Sequence, residues 1–324
     1  MSISEKIIQI LSEKKPDFVS GQELSELLNC SRTAVWKHIR ALEKEGYKFE
    51  AVTRRGYRLL EQPELLDFSE WEKQLNTTFM GKPVHYCKQT RSTQLLALEM
   101  AKQGASEGAM AIAEEQTAGK GRFNRNWHSP AGKGLYFSIV LKPNIPLQFV
   151  PQLTLLISVA LCRSIRQVTG LQPGIKWPND VLISGKKFAG ILLEMHAEDI
   201  QLHHVIAGIG INVNQTEEDF PQDIRSTATS LRQEAGRSFQ REQLLQAFLE
   251  ELEQWYIHYL KEGFAHIRML WEAHNITLGR HVAVQSGNRV YEGKALDIDE
   301  TGALVLQTEE GQVKCYSGET TIKK

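Results

Sequence analysis

A chain of 324 residues, 41% of them hydrophobic, is long enough for two or three globular domains, and a net charge of −1 excludes a uniformly basic nucleic-acid-coating protein. No run of about 18 apolar residues and no signal-peptide apolar core is present, so neither a membrane span nor a secreted chain is expected. The four cysteines, Cys30, Cys87, Cys162 and Cys315, are scattered without a CxxC pair, which predicts reduced thiols in a cytoplasmic protein rather than a disulfide framework or a zinc site.

The first elements are helical. Ile3, Ile7, Ile8 and Leu11 have the spacing of an amphipathic helix over residues 3–14. A second short helix is predicted over Gln22–Leu28, with Leu24, Leu27 and Leu28 inward. Ser31 is a good N-cap for a third, Arg32 to Glu45, whose buried stripe is Val35, Ile39 and Leu42. Gly46 stands where a left-handed C-cap is expected. Tyr47–Val52 and Gly56–Leu60 then read as a hairpin joined through Thr53, Arg54 and Arg55. Helix, turn, helix and basic hairpin outline a winged helix-turn-helix domain over residues 1–63.

From Cys30 to Arg58 there are eight Lys and Arg against three Asp and Glu, a local net charge of +5. A recognition helix needs cations for phosphates and short polar groups for base edges. Ser31, Arg32, Thr33, Lys37 and Arg40 on the helix, and Arg54 and Arg55 on the wing, are the DNA-binding candidates. The plainer reading is a solvated basic face. Helix spacing, short turn and basic wing agree, and together they favour DNA. Trp36 and His38 are left unassigned between core and DNA backbone.

Residues 64–81 read as a linker carrying a short helix, Ser69–Leu75. From 82 to 272 the pattern alternates: strands at Pro83–Cys87, Ala109–Glu115, Gly134–Leu141, Ile175–Pro178, Val181–Ile183, Lys187–Ala197 and His204–Asn212, with helices at Thr93–Gln103 (N-cap Ser92), Pro151–Thr169 and Arg241–Glu262. That is a mixed α+β domain around one sheet.

Two segments of this domain carry unusual chemistry. Lys176-Trp177-Pro178-Asn179-Asp180 sets a cation, a flat aromatic, a rigid imide, an amide and a carboxylate in succession. Pro178 pushes Trp177 toward extended geometry, so the segment reads as a strand end delivering polar groups at set angles. Gly119 to Arg125 offers two glycines and the cations Lys120, Arg122 and Arg125, followed by Trp127. Glycines admit close backbone approach, and the cations offset phosphate or carboxylate charge. The segment is neither a Walker A loop nor a GxGxxG fingerprint, and a flexible surface loop is its plain alternative. Lys187 is a further cation at a strand start. Gly208 to Asn214 ends a strand with two glycines and two amides, suited to a nucleotide or hydrated metal, or simply to a tight turn.

Lys176–Asp180, Gly119–Trp127, Gly185–Leu192 and Gly208–Asn214, in that set and spacing, resemble the biotin–protein ligases over roughly residues 82–324. With the winged helix ahead, the whole chain resembles the bifunctional bacterial type that is also the biotin-operon repressor. The resemblance implies a two-step reaction. Biotin is adenylated by ATP to biotinyl-5′-AMP, and the acyl group then passes to a lysine of a biotin carboxyl carrier domain. Acetyl-CoA carboxylase is the implied source of that domain, with pyruvate carboxylase a second candidate. No nucleophilic side chain is needed; positioning and charge neutralisation supply the catalysis.

Residue by residue, the resemblance places Ser92, Thr93 and Gln116 on the ureido end of biotin. Gly119, Lys120 and Gly121 fall in the loop closing over it, Trp127 on the pocket wall, and Lys187 between the biotin carboxylate and the transferred phosphate. Arg122 holds the adenylate, and its loss is expected to leak the reactive intermediate. Lys176, Asn179, Arg125 and Asn212 fall on the ATP side, and Asp180 orients or deprotonates the incoming amine. The implied catalytic set is Lys187, Arg122, Lys176 and Asp180. Magnesium accompanies ATP, with Asn212 a candidate ligand, and no tightly bound prosthetic group is implied. The ligand-bound protein is implied to dimerise on operator DNA and to have no membrane partner. Two departures stand out: the family often has Arg where Lys120 stands, and Arg-Gly where Phe123-Asn124 stand. Lys keeps the charge but loses the guanidinium fork. A second ligand-ordered loop falls near Phe220–Ser230.

Residues 276–324 change character. Val282–Val284, Val290–Ala295, Ala303–Leu306 and Val313–Tyr316 alternate as short strands, with Gly287-Asn288 and Glu310-Gly311 marking hairpins. They predict a small SH3-like β-barrel, structural or helping to hold ATP and the carrier. Two other readings remain: a biotin-responsive transcription factor without catalysis, which the intact cationic residues oppose, and a lipoate-type ligase, which the Lys-Trp-Pro-Asn-Asp segment and winged helix disfavour.

Overall fold

The computed structural model describes residues 3–44, 46–61, 66, 68–198 and 201–323. Two compact units result: Met1–Leu66 with Pro130–Gly132, and Asp67–Ser129 with Lys133–Lys324.

In the first unit, α1 (Ile3–Glu13), α2 (Gly21–Leu27) and α3 (Arg32–Lys44) precede an antiparallel hairpin, β1 (Lys48–Val52) and β2 (Gly56–Glu61). Ser20 caps α2 by accepting from the Glu23 N–H, and Ser31 caps α3 by accepting from the Ala34 N–H at 3.1 Å. Asn29 takes the left-handed conformation (φ 49°) that the tight turn between these helices requires. Ile7, Leu11, Val19, Leu24, Val35, Ile39, Leu42 and Leu59 form the core. Leu24 is buried and Leu28 packs at the edge, but Leu27, read as inward, is 59% exposed. In so short a helix the i, i+4 pair makes the contact and the last residue is left outside. The predicted end of α3 at Glu45 lies outside the described residues. Val19 bridges to Tyr57, adding a third short strand to the wing. Gly56 has φ +106°, and a Cβ there would lie 2.0 Å from the Val19 carbonyl, so only glycine lets β2 begin here.

The second unit begins inside the stretch read as a linker. α4 (Phe68–Gln74) is folded onto the domain: Phe68 packs with Trp71 and Tyr86, and the Trp71 indole donates to the Glu242 carbonyl at 3.3 Å. The Thr78, Phe79 and Met80 N–H groups donate to the Glu253 carboxylate. The sequence carries no sign of this, because the partners lie more than 170 residues away.

Next come β3 (Val84–Thr90), α5 (Thr93–Lys102), β4 (Met110–Lys120), β5 (Asn126–Ser129), β6 (Gly134–Leu141), α6 (Val150–Thr169), β7 (Gly174–Lys176), β8 (Asp180–Ile183), β9 (Lys186–Glu198) and β10 (Gln201–Asn212). The sheet order is β3-β4-β6-β10-β9-β8-β7, with β5 paired to β4. Among the named strands of the described residues only β3 and β4 pair in parallel, and α5 makes the crossover between them. α7 (Leu231–Ala235), α8 (Arg241–Glu262) and α9 (Ala265–His274) follow; α7 and α9 were not predicted.

β6 is buried along its whole length because both faces are covered. Phe137 meets Phe248 of α8, while Ser138 on the opposite face meets α5 through Thr93 and Gln94. α6 is long and apolar enough to cross a bilayer by composition, yet most of it is buried inside this unit, against α8 and α9. It is a core helix.

The C-terminal sheet comprises β11 (His281–Ser286), β12 (Arg289–Ile298), β13 (Leu304–Thr308), β14 (Gly311–Cys315) and β15 (Glu319–Ile322), in the order β14-β13-β12-β11-β15. All pairs are antiparallel, and the path ends at β14 and β15, so the predicted barrel is an open sheet among the described residues. β15 was absent from the sequence reading.

Candidate active site

The glycine-bearing segment read as a loop is mostly hairpin. β4 runs on through Gly119 and Lys120, which pair with Trp127 and Asn126 of β5. A Cβ on Gly119 would lie 2.5 Å from the Trp127 carbonyl, so this glycine serves close strand approach and does not line the cavity. Only Gly121–Arg125 forms the turn, through consecutive left-handed residues Phe123 (φ 54°) and Asn124 (φ 58°). Gly208 and Gly210, given a tight turn as one reading, lie inside β10 instead. A Cβ on Gly208 would come within 2.4 Å of Gln94 Oε1, and one on Gly210 within 2.4 Å of the Trp127 ring. The glycines clear a floor on which these two side chains lie.

A narrow cavity of about 50 Å³ opens above that floor. Ser92, Thr93 and Gln116, the residues the resemblance implied for the ureido end of biotin, line it together, and so do Gln94 and Ser138, which the sequence reading did not name. The Thr93 N–H donates to Gln116 Oε1 at 2.8 Å, the Thr93 and Ser138 hydroxyls meet at 2.9 Å, and Gln116 Nε2 donates to Ser129 Oγ at 2.9 Å. Ser92 sits at the N-cap position of α5 but makes no side-chain cap, leaving its buried hydroxyl without a partner. The buried indole N–H of Trp127 likewise lacks one. Neutral donors and acceptors in a narrow slot suit a small uncharged polar ring. Gln94 had a legible signal: it completes a Ser-Thr-Gln run opening a helix otherwise rich in Leu and Ala.

A larger cavity of about 470 Å³ adjoins it, and Gly121, Arg122, Trp127, Asn179 and Lys187 line both. Asp180 holds two cations, Lys187 Nζ at 2.5 Å and Lys176 Nζ at 3.1 Å. Burial pushes the Asp180 carboxyl up, but Lys187 and Lys176 together outweigh it and hold it below the usual carboxylate range. Lys187 also lies over the Trp127 ring at 5.3 Å. Arg122 Nη1 donates to Asn179 Oδ1 at 3.1 Å and to the Gly318 carbonyl at 2.9 Å, and burial lowers its pKa although Asp180 and Glu319 oppose that. Asn179 in turn donates to the Ile191 carbonyl at 2.8 Å.

Three of the candidate residues have protein partners already. Lys120 lines the narrow cavity but has Glu194 at 3.6 Å as its counter-ion. Arg125 makes a bidentate pair with Glu319 of β15, at 2.6 Å for one oxygen, which offsets its charge. Both arginines of the turn are thereby tied to the start of β15, a contact no local pattern could announce. Asn212 lines the larger cavity with its amide engaged on both sides, donating to the Thr229 carbonyl and accepting from Gln215. Among the described residues no group of three or more His, Cys, Asp or Glu could hold a metal ion. The Phe220–Ser230 stretch forms a wall of the larger cavity through Phe220, Ile224, Thr227 and Ala228, and Ala228 bridges to Lys187.

In the first unit, Ser31, Arg32, Thr33, Lys37 and Arg40 are all exposed on α3, as are Arg54 and Arg55 on the wing. Ser31 and Arg40 have structural duties as well, the first capping α3 and the second pairing with Glu43 at 2.8 Å. Arg55 lies over Phe18 at 4.4 Å. Trp36 is 48% exposed beside Arg40, while His38 is tied to Ser4 at 3.0 Å.

A slot offering the neutral donors and acceptors of Ser92, Thr93, Gln94 and Gln116, and sharing Arg122 and Lys187 with a larger cationic cavity, suits an enzyme that activates a carboxylate on a nucleotide. The family models agree: biotin/lipoate A/B protein ligase over residues 86–212, a helix-turn-helix domain over 4–58 and the biotin protein ligase C-terminal domain over 277–320. The chain is 46% identical to the bifunctional ligase/repressor BirA of Bacillus subtilis over 99% of both chains, and 30% identical to that of Escherichia coli over 97% of this chain and 94% of that one. Its fold is similar to the biotin protein ligase from Aquifex aeolicus in complex with biotin and ATP, with a TM-score of 0.65 and 31% identity over 75% of this chain and 99% of that one. The chain belongs to the family of bifunctional biotin–protein ligase/repressors.

Proposed function

We propose that this protein joins biotin to ATP, transfers the biotinyl group to a lysine of a carrier domain, and with the adenylate bound represses transcription from operator DNA. The observation that carries this reading is the seam between the cavities, where Lys187 and Arg122 line both the slot and the larger cavity and so reach groups held in either.

The geometry supports a division of the work among these residues. Ser92, Thr93, Gln94 and Gln116 offer the neutral donors and acceptors that a ureido ring needs. The biotin carboxylate oxygen attacks the α-phosphorus, forming the new P–O bond as the bond to pyrophosphate breaks. Lys187 and Lys176 offset the charge of two anions brought together, once they turn from Asp180 to the substrates. Asp180 is then free to accept a hydrogen bond from the incoming amine. Lys187 and Lys176 are what hold this carboxyl below the usual range, and once they have turned away burial pushes it up, which suits Asp180 to orient the amine and to take its proton. The amine attacks the acyl carbon, AMP leaves, and the amine proton passes to Asp180 and on to solvent. Magnesium would ride on the phosphates; with Asn212 already engaged on both sides, the protein adds little to its shell.

Arg122 ties Asn179 to the Gly318 carbonyl and so holds the turn over the seam. Arg122→Gly is expected to keep adenylation while releasing biotinyl-5′-AMP, read as biotinylation of an unrelated protein mixed in; retention as tight as in the native protein would remove Arg122 from this role.

The exposed cations of α3 and the wing support operator binding. Two copies related by a two-fold axis would face an inverted repeat. Lys37→Ala is expected to weaken DNA binding evenly across sequences and lower the salt slope by about 1, as measured by titration at several salt concentrations. An unchanged slope would place Lys37 off the phosphates. The protein is read as cytoplasmic, with a carboxylase carrier domain as acceptor. Incubation with biotin and ATP, mass measurement of an acceptor domain, and a gel shift with and without ligand test the whole reading. Failure to form pyrophosphate sinks the ligase assignment, and ligand-independent DNA binding sinks the coupling.

A further inference from the structure

The geometry points to Gln215 as a positioning residue for ATP, a role that rests on the ligase reading. Gln215 is fully buried and outside both cavities. Its side-chain Nε2 donates to Tyr136 Oη at 3.0 Å and to Asn212 Oδ1 at 3.2 Å. Its main-chain carbonyl accepts from Ser230 Oγ at 2.6 Å. Asn212 spends its own Nδ2 on the Thr229 carbonyl at 3.1 Å. The side chain therefore links β6 to the end of β10, and through Asn212 reaches Thr229, while the Gln215 main chain holds Ser230 independently.

The direction of each bond is forced. Turning the Asn212 amide over would lose the Thr229 carbonyl, so Asn212 presents an oxygen to Gln215. Gln215 must answer with Nε2, and its Oε1 is left buried without a partner. A buried orphan acceptor costs free energy. The arrangement accepts that cost and in return holds Asn212 and residues 227–230 in one position. This matters because Thr227 and Thr229 bracket the Lys187 backbone: Lys187 N donates to Thr227 O at 2.8 Å, and Thr229 N donates to Lys187 O at 2.9 Å. Gln215 thus sets the nucleotide-side wall against the strand that carries the lysine. The far end of the stretch is held separately, by His128 Nε2 against the Asp219 carbonyl at 2.8 Å and by Asp219 accepting from Thr216. The slot formed by Ser92, Thr93 and Gln116 shares none of these bonds.

Gln215→Met keeps the length and removes the amide. The expected result is a KM for ATP raised about tenfold, a KM for biotin changed less than twofold, and faster tryptic cleavage after Arg225, whose guanidinium now donates to the Phe220 carbonyl. ATP is expected to protect that site in the native chain and to protect it no longer in the variant. Tyr136→Phe removes only the distal anchor and should give the same pattern more weakly, which keeps the test available if Gln215→Met folds poorly. Equal rises in both KM values, or unaltered cleavage at Arg225 in both variants, would overturn the assignment. A native protein that neither makes pyrophosphate nor is protected by ATP would overturn the ligase reading itself, which is a separate outcome read on the native chain.

Discussion

Lys187→Met should lower the rate of adenylate formation by about 10²- to 10³-fold, the usual loss when one preorganised charge is taken from a developing negative centre. Lys187 reaches both cavities, sits 2.5 Å from Asp180, and lies over the Trp127 ring. Gly190 makes that pose available: a Cβ there would stand 3.0 Å from Lys187 Cε. Methionine matches the length without the charge. The main-chain bonds to Thr227 and Thr229 do not involve the side chain and should survive, so the fold is expected to be unaffected. The loss should appear in the single-turnover rate of pyrophosphate release, with thermal unfolding as the control. A variant within threefold of native activity would remove Lys187 from the reaction centre.

Arg241→Met should cost about 3–5 kcal/mol of stability, the range for breaking a buried ion pair by removing one partner. Arg241 and Glu114 are each 1% exposed and meet at 2.8 Å, and Arg241 also donates to the Gly134 carbonyl at 3.0 Å. The pair fastens the start of α8 to β4 and β6. Removing the guanidinium leaves a buried carboxylate, which keeps the Tyr86 hydroxyl as a partner. A double variant with Glu114→Gln should recover part of the loss, because it removes the stranded charge. Urea unfolding of the two variants beside the native protein measures this, and a single-variant loss below about 1 kcal/mol would show the pair to be replaceable at little penalty.

Periodicity announced the elements that own a strong local pattern. The apolar stripes of α1 and α3 and the 20-residue α6 follow from spacing alone. So does β6, although its alternating reading hid the fact that both faces are covered. The missed elements, α7, α9, β5 and β15, carry little pattern of their own; α7, α9 and β15 are held by partners distant in sequence, and β5 by its neighbour β4. The predicted glycine loop illustrates the limit. Two glycines and three cations announced a ligand segment, but only pairing with β5 reveals that Gly119 and Lys120, read as loop, are strand.

What the chain alone determined is the inventory of chemistry: which segments bear cations, amides and glycines, and that a basic winged helix precedes them. Those properties reside in single residues and in spacings of a few positions, where backbone geometry is set locally. Only the tertiary structure decided which groups meet. Lys187 and Lys176 converge on one carboxylate because β7, β8 and β9 pair side by side. Arg122 and Arg125 are held by Gly318 and Glu319, nearly 200 residues onward. Ser92 is left uncapped because α5 packs its first turn over Gln116 and Ser138. Such meetings are settled by burial and long-range hydrogen bonding, which depend on the whole chain packing at once and leave no trace in any short stretch of it.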